Sequence, residues 1–258
     1  MEHWLSLPLQ GSKEAPAIDH VLSMVHWLML VLFVGWAIYY IYAIIRFRRS
    51  AHPKAEYHGV RNKVALYLAG AVAVFELSLL FISEIPLWSQ VKGTPPSEAD
   101  AIVVRVVAEQ FAWNIHSPGK DNKFGKADIK LLSAENPLAL DRRDENAKDD
   151  ITTINQLHLP AGKQVLVYLT SKDVIHSFGL PVMRVKQDAI PGQRIPVYFT
   201  PTVPGNYEIA CAQLCGLGHF RMRGYLIIHT EADYQKWLDE QAKELLALQT
   251  PTEVASHQ

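Results

Sequence analysis

The sequence predicts a membrane-anchored all-β protein, in which a two-helix transmembrane hairpin precedes an antiparallel β-sandwich and a C-terminal surface helix. Three observations predict this fold class. Two long stretches of the first hundred residues carry almost no charge, short β-branched and aromatic runs follow them, and an amphipathic segment comes near the end. The predicted divisions are residues 1–20 for an N-terminal segment, 21–92 for the anchor, 93–230 for the β domain and 231–258 for the C-terminal helix and tail.

The anchor consists of two candidate spans. The first, residues 21–45, contains no Lys, Arg, Asp or Glu, and at helical rise it is long enough to cross a hydrocarbon core of about 30 Å. The second, residues 64–91, carries only Glu76 and Glu84 as charged side chains. The alternative is a pair of core helices in a soluble domain, but the length and uniform hydrophobicity of both stretches favour transmembrane helices.

Basic residues mark the connection between the two spans. Residues 46–63 hold six Lys or Arg side chains, whereas Lys13 is the only one in the short N-terminal flank. By the positive-inside rule this connection is cytoplasmic, and both termini lie on the opposite side together with the β domain. The sequence therefore predicts a multi-pass protein of a bacterial inner membrane, with its β domain in the periplasm.

The chain after the anchor has a composition typical of β-strands. Residues 101–115, 163–171, 194–201, 205–211 and 222–230 are short β-branched or aromatic runs bounded by Pro and Gly. Residues 119–150 mix both signs of charge without periodicity, which predicts an exposed excursion between strands. Thr230 and Asp233 resemble a helix start, and an amphipathic segment follows them, so we expect a closing surface helix.

Four metal-binding side chains follow the predicted strand 205–211, within residues 211–222, called the cysteine loop below. Cys211 and Cys215 are the two cysteines of the chain, and His219 and Met222 come after them. This soft set suits copper better than zinc, because zinc rarely uses a thioether. His176, in an earlier turn, would complete a blue-copper layout. The second thiolate, however, favours two bridged metals, and a local disulfide or a structural zinc site are the alternatives.

The segments DVIHSF, KQDAIPGQ and CAQLCGLGHFRM, at residues 173–178, 186–193 and 211–222, resemble motifs of cytochrome c oxidase subunit II in the same order. The two-helix anchor matches as well. The resemblance implies a cupredoxin-like Greek-key sandwich with a dinuclear copper centre, CuA. Such a subunit accepts electrons from a c-type cytochrome and passes them to haem in the catalytic subunit, where oxygen is reduced to water.

The resemblance also implies partners and cofactors. The partners are catalytic subunit I, which holds haem and CuB, together with subunit III, the donor cytochrome and membrane lipid. No CxxCH motif for covalent haem occurs, so we expect the donor to be a separate protein. The net charge of -1 and the lack of a long basic run give no support for nucleic-acid binding.

The copper ligands that the resemblance implies come from two regions of the chain. Gln213 contributes its backbone carbonyl and stands where most relatives have Glu. A neutral amide suits magnesium less well than a carboxylate, so we expect a magnesium site at the subunit interface to be weak or empty. The side-chain ligands are His176, Cys211, Cys215, His219 and Met222.

Four further residues carry predictions. The resemblance implies electron uptake through an aromatic stretch, where Trp113 or Phe111 presents an exposed ring; packing of either ring against the cysteine loop is the alternative. Asp173 matches an acidic position of the family's cytochrome-docking face. Glu76 lies about twelve residues into the second span, roughly 18 Å from its start. A carboxylate there is costly, so it serves either a proton path or protonated packing against a partner subunit.

Two other classes of function compete with an oxidase subunit. One is a membrane-tethered copper carrier, which should expose and exchange its metal. The other is a binding module stabilised by zinc or by a disulfide, which should show no copper spectrum. A site in which two thiolates and two imidazoles enclose the metal should retain it, which favours the electron-transfer subunit over the copper carrier and the binding module.

Overall fold

The computed structural model describes residues 6–54, 57 and 63–249. These residues form two compact units. One contains Pro16–Gly93, and the other combines Pro8–Ala15 with the chain from Thr94 onward. The first unit is the predicted anchor, and the second contains the β-sandwich.

Two long helices make up the anchor. Helix α1 is Ala15–Arg46, and the second span runs through α2 (Val64–Leu79), a π-helical turn (Leu80–Glu84) and α3 (Ile85–Lys92). Both are long and apolar enough to cross a membrane, with mean hydropathies of 2.3 and 2.1. The most apolar windows are 0% and 6% buried within this chain, so these helices are not the core of a soluble domain.

The β unit is a sandwich of two five-stranded sheets. The strands are β1 (Ile102–Glu109), β2 (Ala112–Ser117), β3 (Ile151–Ile154), β4 (Gln156–Pro160), β5 (Val165–Ser171), β6 (His176–Leu180), β7 (Val185–Ala189), β8 (Ile195–Phe199), β9 (Gly205–Cys211) and β10 (Arg223–His229). The strand orders are β3-β2-β1-β5-β8 and β4-β10-β9-β6-β7. Most neighbours are antiparallel, but β1 pairs with β5 and β4 with β10 in parallel, so the sheets are mixed rather than purely antiparallel. These parallel pairs arise where the chain crosses from one sheet to the other.

The core lies between the two sheets. Alternate residues of β1, Val104, Val106 and Ala108, face inward and are buried, as expected for a strand with one face on the core. Phe178 and Leu226 meet them from the opposite sheet. This packing fixes the ends of β1 and β9, from which the cysteine loop and its neighbours project.

Residues 119–150 are packed against the sheet at both ends. His116 Nε2 of β2 lies 2.6 Å from Asp150 Oδ2, and the Gly125 N–H donates to the same carboxylate oxygen at 2.8 Å. The middle, around Ile129, is exposed. The expectation of an exposed excursion is therefore correct only for the middle of this segment, because buried polar contacts at its ends attach it to β2.

Pro8–Ala15 adds an extended segment to the β unit. The Gly11 N–H donates to the Val182 carbonyl, and the Thr202 N–H donates to the Gly11 carbonyl, both at 2.8 Å. The Lys13 N–H donates to the Thr200 carbonyl at 2.9 Å. These backbone hydrogen bonds make Pro8–Ala15 part of the β unit.

Helix α4 (Glu231–Gln249) closes the described chain. The Asp233 N–H donates to Thr230 Oγ1 at 3.2 Å, which is the predicted helix start. The Trp237 ring stacks on His158 with the ring centroids 4.4 Å apart, and Tyr234 is buried beside them. Aromatic packing on the sheet thus fixes this surface helix.

Candidate metal centre

Strand register brings the distant histidine to the cysteine loop. His176 is the first residue of β6, and the pairing of Phe178 with Cys211 places β6 beside the end of β9. The sequence predicted a turn at His176; the structure places it at the start of a strand. β9 ends at Cys211, and the loop returns through Met222 to begin β10. Both candidate sources of ligands therefore lie at one end of the same sheet.

The donor atoms of the loop and the strand converge. Cys211 Sγ and Cys215 Sγ are 3.8 Å apart, and His176 Nδ1 is 4.0 Å from Cys211 Sγ. His219 Nδ1 lies 3.6 Å from Cys215 Sγ. Met222 Sδ lies 3.7 Å from Cys215 Sγ and 3.1 Å from His176 Nδ1. The five side chains named from the sequence therefore form one cluster.

The sixth expected donor also points at the cluster. The backbone carbonyl of Gln213 lies 3.3 Å from Cys211 Sγ, while the Gln213 residue as a whole is exposed. The carbonyl and the side chain of this residue are thus available for separate contacts.

The thiols are free and close enough to share a metal. Neither cysteine is in a disulfide, and Cys215 is buried. Burial, followed by a hydrogen bond and charge from Cys211, raises the pKa of the Cys215 thiol to about 11. A thiol binds metal as the thiolate, so metal binding here would displace protons. Two thiolates, two imidazoles and a thioether are a soft donor set that fits copper.

Asp173 orients the buried imidazole. Its Oδ1 is 2.9 Å from His176 Nε2, which leaves His176 Nδ1 facing the sulfur atoms. Partial burial alone would raise the pKa of Asp173, but hydrogen bonds from His176 and from the backbone N–H groups of Gln110 and Val174 outweigh it and lower that pKa. A carboxylate on the second nitrogen fixes the tautomer and increases the basicity of a ligating histidine.

The two aromatic residues expected near the site, Trp113 and Phe111, differ in burial. Trp113 is completely buried, with its ring against Phe178 at 5.4 Å and His176 at 6.2 Å between centroids. Of the two alternatives for Trp113, an exposed ring or a packed one, the structure shows the packed one, because its indole lies in the core behind the site. Its part in electron uptake stays a prediction. Phe111 is half-buried over the cysteine loop, where a Cβ on Gly218 would lie 2.4 Å from the Phe111 ring.

Three large apolar side chains beside the site are exposed, and the sequence analysis did not single them out. Leu214, Leu217 and Phe220 are 77%, 97% and 82% exposed in this chain. The sequence could have indicated them, because they are apolar residues between metal ligands in a loop that is too short to bury them. Such a surface is typical of a contact with another protein.

Glu76 lies outside this cluster, on α2 of the anchor unit, with its side chain exposed in this chain. Its participation in a proton path stays a prediction.

A relative from Bradyrhizobium diazoefficiens, "Alternative cytochrome c oxidase subunit 2", is 33% identical over 225 residues, covering 87% of this chain and 80% of that protein. The chain belongs to the cytochrome c oxidase subunit II family. The family model described as "Cytochrome C oxidase subunit II, periplasmic domain" matches residues 102–229. A cytochrome c oxidase subunit 2 from Cereibacter sphaeroides is 27% identical, covering 89% of this chain and 80% of that protein.

Among solved structures, this chain is similar to the periplasmic domain of subunit II of cytochrome oxidase from Bradyrhizobium japonicum. The identity is 24%, the coverage is 59% of this chain and 99% of that domain, and the TM-score is 0.43. Membership of the subunit II family implies copper, electron transport and a place in a haem-copper oxidase complex.

Proposed function

We propose that this chain is the electron-accepting subunit of a respiratory cytochrome c oxidase. It takes electrons from a c-type cytochrome and passes them to haem in catalytic subunit I, where oxygen is reduced to water. The observation that carries the proposal is the convergence of two thiols, two imidazoles and a thioether at one end of the sandwich.

The residues that would hold a CuA centre are His176, Cys211, Gln213 through its carbonyl, Cys215, His219 and Met222. Bound there, a dinuclear copper centre would supply one-electron redox chemistry with little change of geometry. The protein contributes rigidity, because His176 and Met222 are buried and Cys215 lies among core residues. Burial of these donors supports retention of metal through turnover and opposes the metal exchange expected of a copper carrier.

Electron uptake is assigned to Phe111 and the apolar surface formed by Leu214, Leu217 and Phe220. Phe111 is the half-buried ring that touches the cysteine loop, and the three exposed side chains belong to that loop. A docked donor protein would cover apolar area here, which stabilises a short-lived complex without strong charge pairing. Asp173 is engaged with His176 and Gln110, so orientation of the ligand accounts for it better than docking does.

The membrane topology follows from the two connections to the β unit. α1 begins at Ala15, directly after the segment that pairs with the β unit, and the chain returns to that unit after Lys92. An even number of crossings places both ends of the hairpin on one side, and the basic connection then lies in the cytoplasm. We therefore assign the β unit to the periplasmic side of the inner membrane, with subunits I and III as membrane partners.

The test is copper loading of the full-length chain in detergent, followed by metal analysis and EPR. We expect two coppers per chain and a mixed-valence signal. Cys211→Ser and Cys215→Ser should each abolish that signal, because both thiolates are needed to bridge two metals. His158→Asn, a histidine variant outside the site, is the matched control. A single copper with a blue spectrum, or a mixed-valence signal that survives either serine variant, would refute the proposal.

A further inference from the structure

We infer that Gln110 is a positioning residue of the metal centre: it ties the cysteine loop to the turn before β6 without binding metal itself. Gln110 lies between β1 and β2, outside both segments that carry candidate ligands. The inference rests on the function proposed above, since it requires the six donor atoms to form one centre.

The side chain of Gln110 holds the cysteine loop directly. Its Nε2 donates to the carbonyl oxygen of Cys215 at 2.6 Å. Cys215 is the residue whose sulfur lies near Cys211, His219 and Met222. A bond to its backbone therefore restrains one of the two thiols at the centre of the cluster.

The backbone N–H of Gln110 restrains His176, the ligand outside the cysteine loop, through Asp173. Its N–H donates to Asp173 Oδ2 at 2.7 Å, and Asp173 Oδ1 contacts His176 Nε2 at 2.9 Å. One residue thus restrains Cys215 through its side chain and the His176 imidazole through Asp173. These two links connect elements that are more than thirty residues apart in the chain.

Close packing supports the same role. A Cβ on Gly216, which has φ +132°, would lie 2.7 Å from Gln110 Nε2. Only a residue without a side chain allows this approach in that backbone conformation. The loop after Cys215 therefore passes directly under the Gln110 amide, and deletion of that amide removes the hydrogen bond that restrains this side of the loop.

The test uses the copper-loaded full-length chain in detergent with two variants. Gln110→Leu removes the side-chain donor, and Gln110→Glu keeps the shape but presents an ionised carboxylate, which cannot donate to a carbonyl. Both retain the backbone donor to Asp173. We expect each variant to lose copper to a chelator about two- to tenfold faster than the wild type, the range for one hydrogen bond, and to change the copper hyperfine pattern in EPR.

Gln164→Leu is the matched control. Gln164 accepts a hydrogen bond from Thr200 Oγ1 at 3.0 Å and lies at the opposite end of the β1–β5 pair. This variant should leave the hyperfine pattern and the rate of copper loss unchanged. Should Gln110→Leu fail to fold, the near-isosteric Gln110→Glu decides the question.

Two negative results are distinguishable. A wild-type chain without a dinuclear spectrum overturns the proposed function and this inference with it. A normal wild-type spectrum, together with Gln110 variants that match Gln164→Leu in both measurements, overturns the inference alone.

Discussion

Replacement of Trp113 by Ala should destabilise the β unit rather than act first on electron uptake. The indole is completely buried and packs edge-on against Phe178, with centroids 5.4 Å apart. Removal of a buried Trp or Phe side chain costs about 3–5 kcal/mol, from lost transfer free energy and from the cavity left behind. For a unit of this size, that corresponds to a fall in melting temperature of roughly 6–20 °C.

Trp113→Phe sharpens this test. Trp113 Nε1 has no hydrogen-bond partner among the described residues, so Phe removes an unsatisfied buried donor together with part of the ring volume. We expect the two effects to offset each other and the loss to stay below about 2 kcal/mol.

The assay is thermal unfolding of the full-length chain, followed by the β-sheet circular dichroism signal. A melting temperature of Trp113→Ala within about 3 °C of the wild type would refute the cavity argument. Reduced electron uptake in Trp113→Phe, with unchanged stability and copper spectrum, would restore Trp113 as the uptake residue.

Three further predictions follow. Phe111→Ala should still load copper, although the loop loses its contact at Gly218. It should take up electrons from a c-type cytochrome at least about tenfold more slowly in stopped-flow mixing, if lost ring contact costs about 1.4 kcal/mol of activation free energy; an unchanged rate would exclude Phe111. Gln213→Glu should tighten Mn²⁺ binding in the assembled oxidase, measured by EPR, because it adds a carboxylate; equal retention would show that this substitution is neutral. Burial, followed by the charge of His229, lowers the pKa of His158 from 6.5 to about 4. The unfolded chain binds more protons between those values, so the free energy of unfolding should fall as pH drops through this window. His158→Phe should flatten the profile by roughly 1–2 kcal/mol after discounting for solvent screening, and an unchanged slope would contradict the assignment.

The sequence was sufficient for the features that depend on local pattern. The two membrane helices follow from uninterrupted hydrophobicity, and five of the six donors lie within residues 211–222. The β6 strand was missed because HSFGL is buried along its whole length and contains His, Ser and Gly, so it shows neither alternation nor high β-propensity. The position of His176 depends on the pairing of β6 with β9, which is non-local.

An exposed ring at Trp113 was implied by the resemblance to the subunit II family, and the local pattern of β2 could not contradict it. Every residue of β2 after Ala112 is buried, and residues 119–150 contact its far end, where Asp150 and Phe124 lie against His116. Alternation therefore cannot distinguish the core side of β2 from an exposed side. The contact of His116 with Asp150 attaches residues 119–150 to β2. It joins residues 34 positions apart and leaves no periodic signal in the sequence.

The two sources of donors differ in what holds them in place. His176 is at the start of a strand, is completely buried and contacts Asp173, so the fold itself fixes its position. The cysteine loop has a short helical turn at His219–Arg221 and exposed side chains at Leu214 and Leu217, so Cys215 is the main link between its middle and the core. A rigid centre therefore requires contacts that restrain the loop from outside, and the Gln110–Phe111 turn supplies them at Cys215 and Gly218. The same turn carries the ring assigned to electron uptake, so the part of the protein that a donor would touch is also the part that holds the metal-binding loop in place.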